Sequence, residues 1–108
     1  MANINKNSAE GQAGSIFCNG TSPAITPPSG AVFVAIQMLE NTTFDSTGGL
    51  VATDSAKYIN TEAASHGGGG AGGDTIASTD VFLAGSIIYG RWSEIDLAAG
   101  AIIAYIGV

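Results

Sequence analysis

Charge is scarce in this chain, and positive charge is almost absent. Charged residues make up 11% of the 108 residues, with 3 basic against 9 acidic side chains and a formal net charge of −6. Soluble domains usually contain about 25% charged residues. Three basic residues cannot neutralise a run of phosphates. We therefore expect neither nucleic acid nor an anionic membrane surface as a partner. Low charge also predicts that an assembly buries part of the surface; a monomer with a Ser, Thr, Asn and Gly surface is the alternative.

Cysteine and histidine are equally scarce, which limits the chemistry open to the protein. Cys18 and His66 are the only residues of their types, so neither an intrachain disulfide nor a zinc site built from several such ligands is expected. We expect Cys18 to be a small apolar filler. Glu94 and Asp96 share a strand face, as a glycosidase pair would, but they flank a turn and indicate solvated charges at an exposed sheet edge. The sequence therefore predicts no enzyme, no catalytic residue, no metal site and no cofactor; a small hydrolase using these two carboxylates is the alternative.

Long apolar runs are missing as well. No run approaches the roughly 20 residues of a membrane span. The first residues, Met-Ala-Asn-Ile-Asn-Lys, lack the apolar core of a signal peptide. We therefore expect no membrane partner and synthesis in a cytoplasm.

Short β-forming runs separated by glycines and turn residues predict the fold. No segment shows sustained helical periodicity, whereas β-branched and aromatic residues recur in blocks. The strongest blocks are 31–39, 86–95 and 101–106, and shorter strand candidates are 50–53 and 57–61. The sequence therefore predicts an all-β protein, a small β-sandwich or barrel of short antiparallel strands.

Two glycine-containing segments frame the later strands. The link 96–100 has the length of a hairpin loop, and Gly100 is free to take the positive φ that such loops need. The glycine-rich run 66–74 predicts a flexible surface loop, and it lacks the lysine of a phosphate-binding loop. The apolar ending at 101–108 indicates a segment docked in a sheet or against a neighbour.

The first thirty residues differ from the rest, being rich in asparagine, glycine and proline. The Pro27-Pro28 pair imposes an extended path and excludes helix. We therefore divide the chain into an extended N-terminal arm, 1–30, and a single β-domain, 31–108. Ile16, Phe17 and Ile25 interrupt the polar arm and are candidates for docking on a larger surface; a terminus of no consequence is the alternative.

The strand at 86–95 carries the most individual side chains. Simple alternation places Gly90 and Trp92 on one face and Tyr89 and Arg91 on the other. Gly90 leaves room for a cross-strand group to approach on the Trp92 face. We expect Arg91, the single arginine, to pair with an acidic residue, and Trp92 to lie in the core. Tyr89, Arg91, Trp92 and Tyr105 are the candidate structural and oligomer contacts.

Three stretches of the chain form a distinctive pattern. They are 26–44, beginning Thr-Pro-Pro-Ser-Gly, the tract Ala-Ala-Ser-His-Gly-Gly at 63–68, and 88–107, which contains Ile-Tyr-Gly-Arg-Trp and Gly-Ala-Ile-Ile-Ala-Tyr. This pattern resembles small virion structural proteins of tailed bacteriophages, especially phages of marine bacteria. The resemblance covers about residues 20–108. The segment 1–20 matches nothing in that family and is a natural place for particle-specific attachment.

The resemblance implies a structural role in a virus particle. We expect a capsid decoration (cement) protein, made in the host cytoplasm and located on the capsid surface of the virion. Its partner would be the major capsid protein, contacted by the arm residues Ile16, Phe17 and Ile25. Bridging capsid subunits with many copies would stabilise the shell, because weak contacts add through multivalency. A homotrimer is the expected oligomer. The alternative is a phage tail, fibre or surface-knob protein that binds host-cell glycans through Trp92 or Tyr58.

Overall fold

A computed structural model describes residues 13–20, 23–55, 57–61 and 73–108. Within these residues the chain is all-β, with antiparallel strands in two sheets. The predicted fold class is therefore confirmed. The strands are β1 (Ser15–Asn19), β2 (Val32–Met38), β3 (Thr43–Phe44), β4 (Leu50–Ala52), β5 (Ile87–Ile95), β6 (Leu97–Ala99) and β7 (Ala101–Gly107).

The larger sheet has five strands in the order β1-β7-β2-β5-β4, and β3 pairs with β6 in a small second sheet. β2 and β7 are apolar along almost their whole length, and each is hydrogen-bonded to a strand on both sides. Both strands are therefore central in the sheet, and side chains that are apolar on both faces of a strand call for a cover on each face. The apolar ending was expected to dock in a sheet, and β7 does so.

The inner face of the larger sheet holds the core. Phe33 of β2 lies opposite Trp92 of β5 and Ile106 of β7, and all three are buried. The Trp92 indole Nε1 donates a hydrogen bond to the Ile59 main-chain oxygen at 2.8 Å. The prediction that Trp92 lies in the core is confirmed. The other members of the core are Cys18, Ile36, Met38, Phe44, Leu50, Ile95, Leu97, Ile102 and Ala104.

Gly90 makes room for this tryptophan. A Cβ atom at Gly90 would lie 2.7 Å from Cζ2 and 2.9 Å from Cη2 of Trp92. The sequence predicted space here for a cross-strand group. Instead, the indole two residues further along the same strand occupies that space.

The boundary of the N-terminal arm needs correction. Residues 15–19, assigned to an extended arm, form β1 and pair with β7 from Ser15↔Tyr105 to Asn19↔Ala101. Further along, Ile25 exchanges two main-chain hydrogen bonds with Ile95, at 2.8 and 3.0 Å. Sheet hydrogen bonds and burial of alternate side chains hold these residues on the β-domain despite their polar neighbours. The segments 1–12 and 21–22 of the arm lie outside the described residues, as do 66–72 of the glycine-rich loop.

Three local expectations also change. Residues 57–61 form no strand. The link 96–100 is more than a loop, because it contains β6, although Gly100 has the predicted positive φ of 101°. The expected exposed edge at Glu94 is wrong, since β5 lies between β2 and β4.

Candidate interaction surface

The outer face of the larger sheet, opposite the core, is the candidate interaction surface. Directly opposite residues of an antiparallel sheet point to the same side. The register sets Phe17 opposite Ile103, Ile103 opposite Gln37, and Gln37 opposite Ile87. One step along β2, it sets Ala35 opposite both Tyr89 and Tyr105. We call the set the outer face: Phe17, Ala35, Gln37, Ile87, Tyr89, Ile103 and Tyr105.

The seven side chains of the outer face carry no charge, and three of them are exposed, whereas Ala35 is 2% exposed. Phe17, Ile87 and Tyr89 are 63%, 45% and 62% exposed. Arg91 lies two residues beyond Tyr89 on the same side of β5, with its guanidinium bonded to Val108. Glu94 lies five residues beyond Tyr89, where β5 pairs with Val51. A contiguous apolar patch on a soluble domain usually marks a contact site for another molecule. The outer face has that character across four neighbouring strands.

A shallow depression of about 210 Å³ lies within the outer face. Tyr89, Tyr105, Gln37, Ala35 and Ile87 line it. The Tyr105 hydroxyl donates a hydrogen bond to Gln37 Oε1 at 2.9 Å. This bond holds a phenol and an amide in fixed positions between apolar walls. The depression therefore suits an uncharged group that combines an apolar surface with a few hydrogen-bonding atoms.

Two irregularities in the sheet decide which side chains reach the outer face. The register shifts between Phe33 and Ala35 in the pairing with both neighbouring strands. Without a shift, two residues spaced by two would share a face. With it, Phe33 enters the core, whereas Ala35 turns toward the outer face between Tyr89 and Tyr105 and is itself buried. On β5, ordinary alternation already places Tyr89 and Trp92, three residues apart, on opposite sides of the strand.

The three predicted arm contacts, Phe17, Ile16 and Ile25, do not lie on the same side of the sheet. Phe17 is exposed on the outer face and is available to a partner. Ile16 and Ile25 are partly buried and pack against the core, so they offer a partner less surface than Phe17 does, and their role as capsid contacts stays a prediction. Alternation explains the division within β1, because Phe17 and its neighbour Ile16 point to opposite sides of the strand.

The predicted contacts near the end of the chain are divided in the same way. Tyr89 and Tyr105 come together on the outer face, whereas Trp92 is fully buried and cannot touch a partner. Arg91 Nη1 donates to the main-chain oxygen of Val108 at 3.2 Å. The expected pairing of Arg91 with an acidic residue stays a prediction.

Sequence reasoning missed four members of the outer face: Ala35, Gln37, Ile87 and Ile103. A signal was present in the run 31–39, which is apolar on both faces and contains one amide. A strand that is apolar on both faces needs another layer packed on each face. The described residues form such a layer on the inner face only. The apolar run 31–39 by itself therefore indicates that one face of this strand contacts another molecule.

Cys18 shows no sign of reactivity. Its side chain is 2% exposed. Burial, with a smaller contribution from the negative charge of Asp96, raises the pKa of the Cys18 thiol above its ordinary 9.0. A protonated buried thiol behaves as a small apolar group, so the predicted role of filler is confirmed.

Across 13–20, 23–55, 57–61 and 73–108, no three His, Cys, Asp or Glu side chains are grouped so that they could hold a metal ion. In the same residues, no helix has the length and apolar character needed to cross a membrane. Comparisons with protein-family models, with curated proteins and with solved structures found no match to this chain.

Proposed function

We propose that this chain is a structural assembly protein that docks on a larger protein surface through its outer face. The observation that carries the proposal is the exposure of Phe17, Ile87 and Tyr89 on one uncharged sheet face. Removing apolar surface from water contributes about 25 cal/mol for each Å². A flat, neutral face of this kind suits a partner that is itself flat and weakly charged.

We further propose that the larger surface is the outside of a phage capsid, so that the chain acts as a capsid decoration protein. The resemblance to virion structural proteins supports this choice, and the major capsid protein is then the partner. A copy seated across the joint between two capsid subunits would stabilise the shell. Many weakly bound copies would add their effects. The composition alone predicts a homotrimer, whereas the edges of the larger sheet favour a pair of chains, and the mass in solution decides between them.

Co-sedimentation with undecorated capsids tests the docking face. We expect Tyr89→Ser to weaken binding by about tenfold or more, since loss of an aromatic contact at the centre of an interface commonly costs over 1.4 kcal/mol. Val81→Ser is the matched control, because Val81 is 54% exposed but lies outside the outer face. Normal binding by Tyr89→Ser would show that the outer face is not the docking surface.

The salt dependence of docking provides a second test. Contacts between uncharged surfaces are not screened by ions. We therefore expect the bound fraction to change little between low salt and high salt. A steep loss of binding with salt would place the contact on charged residues elsewhere in the chain.

The depression supports a second candidate, a tail, fibre or surface-knob protein that binds host-cell glycans. Tyr89 and Tyr105 offer apolar ring faces beside the Gln37 amide, and sugars combine an apolar face with hydroxyl groups. Trp92 is excluded as the stacking platform because it is 0% exposed. Binding on a glycan array that Gln37→Ala or Tyr89→Ser abolishes would favour this candidate over capsid docking.

A further inference from the structure

The two edges of the larger sheet are built differently. At the β4 edge, the Leu50 main-chain N–H donates to Thr61 Oγ1 at 3.0 Å, and the Leu50 carbonyl accepts from the Thr61 N–H at 2.9 Å. The loop that carries Thr61 therefore covers this edge at Leu50. Natural proteins commonly cover a sheet edge in this way to prevent unwanted pairing.

The β1 edge has a different hydrogen-bonding pattern. The Ile106 N–H donates to the Gly14 carbonyl at 2.8 Å, and the Gly20 N–H donates to the Gly100 carbonyl at 2.6 Å. Residues bonded to the neighbouring strand alternate along an antiparallel ladder. The even-numbered residues of this segment therefore bond to β7, and the main-chain groups of Ser15 and Phe17 point away from the sheet. Among the described residues, no strand lies beyond β1.

Nothing in the sequence of β1 opposes pairing. The strand reads Ser-Ile-Phe-Cys-Asn, without the lysine, proline or inward charge that usually protects an edge. Its central residue, Phe17, is 63% exposed. The edge thus offers outward main-chain groups and an apolar side chain at the same position.

We propose that β1 pairs antiparallel with β1 of a second copy of this chain, centred on Phe17. Thr61 already occupies the outward main-chain groups of Leu50 on the β4 edge, whereas no described residue is bonded to the outward groups of Ser15 or Phe17 on the β1 edge. An edge that meets itself forms a two-fold contact, which closes at two chains and does not continue into a fibre. The two larger sheets then form one continuous sheet.

The two-fold axis fixes the register of this pair. Phe17 lies opposite Phe17 of the second copy, and Ser15 lies opposite Asn19 of that copy. Both Phe17 side chains lie on the outer face, so the two outer faces join into one apolar surface. The pairing needs no capsid, so it can fail or succeed independently of the docking proposed above.

Light scattering on the full chain tests the pairing directly. We expect a mass of about 21 kDa at tens of micromolar, twice the 10.7 kDa of one chain. Phe17→Lys should weaken the dimer by about tenfold or more, because it sets two like charges opposite each other across the axis. Ile87→Lys is the matched control, since it makes the same change on β5 and should leave the dimer intact while weakening capsid docking.

Cysteine cross-linking in a Cys18→Ala background tests the register. Opposite residues of an antiparallel pair have Cα atoms about 4.5–5.5 Å apart, within the range of a disulfide. Phe17→Cys should cross-link to itself under mild oxidation, and neither Ser15→Cys nor Asn19→Cys should do so alone. A mixture of these last two variants should form the mixed cross-link.

Several results would overturn the pairing. They are a monomeric wild-type chain, a trimer of about 32 kDa, three times one chain, or a Phe17→Lys variant that dimerises normally. A monomer that becomes a dimer when residues 1–12 are deleted would show that the chain's own N-terminal residues cover the edge. That outcome would also overturn the proposal for the intact protein.

Discussion

The two faces of the larger sheet use similar residues for opposite purposes. Trp92 on the inner face is fully buried and hydrogen-bonded to Ile59, whereas Tyr89 on the outer face is 62% exposed. These aromatic residues are three positions apart on one strand. The inner face is covered by the chain itself, and the outer face has no such cover among the described residues. We infer that the inner face supplies stability and the outer face supplies contact with a partner, which makes the two separable by mutation.

The largest expected effect comes from deleting residues 1–20, which removes β1 from both faces. The deletion takes Ile16 and Cys18 from the core and removes the pairing with β7. Full burial of a side chain such as isoleucine contributes about 1.5–3 kcal/mol on its own. We therefore expect the truncated chain to be unfolded or to have a greatly lowered melting temperature.

Phe17→Ser is the control for this deletion, because it alters β1 on the outer face alone. We expect its thermal melt to stay close to that of the wild type. A stable, cooperatively folding chain that lacks residues 1–20 would show that β1 is an accessory to the domain, as the extended-arm assignment implied.

The next effect separates the two aromatic residues of β5. Truncating a buried tryptophan typically costs about 3–5 kcal/mol, and a domain of this size has about 5–15 kcal/mol in total. Trp92→Ala should therefore lower the melting temperature strongly. Tyr89→Ala should change the free energy of unfolding by less than about 0.5 kcal/mol, as exposed substitutions usually do. Denaturant titration of both variants measures the contrast, and equal losses would contradict the division of the faces.

The smallest effect concerns the pH dependence of stability on the inner face. The pKa of Cys18 is raised in the folded protein above its ordinary 9.0. The unfolded chain then loses the thiol proton first as the pH rises. Stability from this group is full below pH 9 and falls as the pH rises toward the folded pKa. Between neutral and alkaline pH, the free energy of unfolding should fall less for Cys18→Ala than for the wild type. Equal falls in the two proteins would contradict the raised pKa of Cys18.

The sequence predicted the fold class and the longest strands well. The runs 31–39, 86–95 and 101–106 correspond closely to β2, β5 and β7, because β-branched residues next to turns are a local signal. β1 was missed, since its partner β7 lies more than eighty residues away and its short apolar run, Ile16 to Cys18, stands in a segment rich in asparagine and glycine. Pairing over that distance leaves little trace in a local pattern.

The candidate surface could be predicted only in part. Tyr89 and Tyr105 were named as contacts from the sequence, and the register brings them together around Ala35. Gln37 and Ile87 were missed. Strict alternation assigns faces correctly until a strand gains an extra residue, and the register shift between Phe33 and Ala35 is such a case. The position of an irregularity depends on the neighbouring strands, which a single sequence does not show.

The burial of Trp92 gives this protein a built-in fluorescent reporter. It is the one tryptophan in the chain, and its indole is enclosed by the core with its N–H bonded to Ile59. Emission from an enclosed indole shifts to longer wavelength when water reaches the ring. A binding event on the outer face should leave this emission unchanged, whereas opening of the core should shift it. Unlabelled protein can therefore report, in one spectrum, whether a variant that fails to bind has lost its surface or its fold.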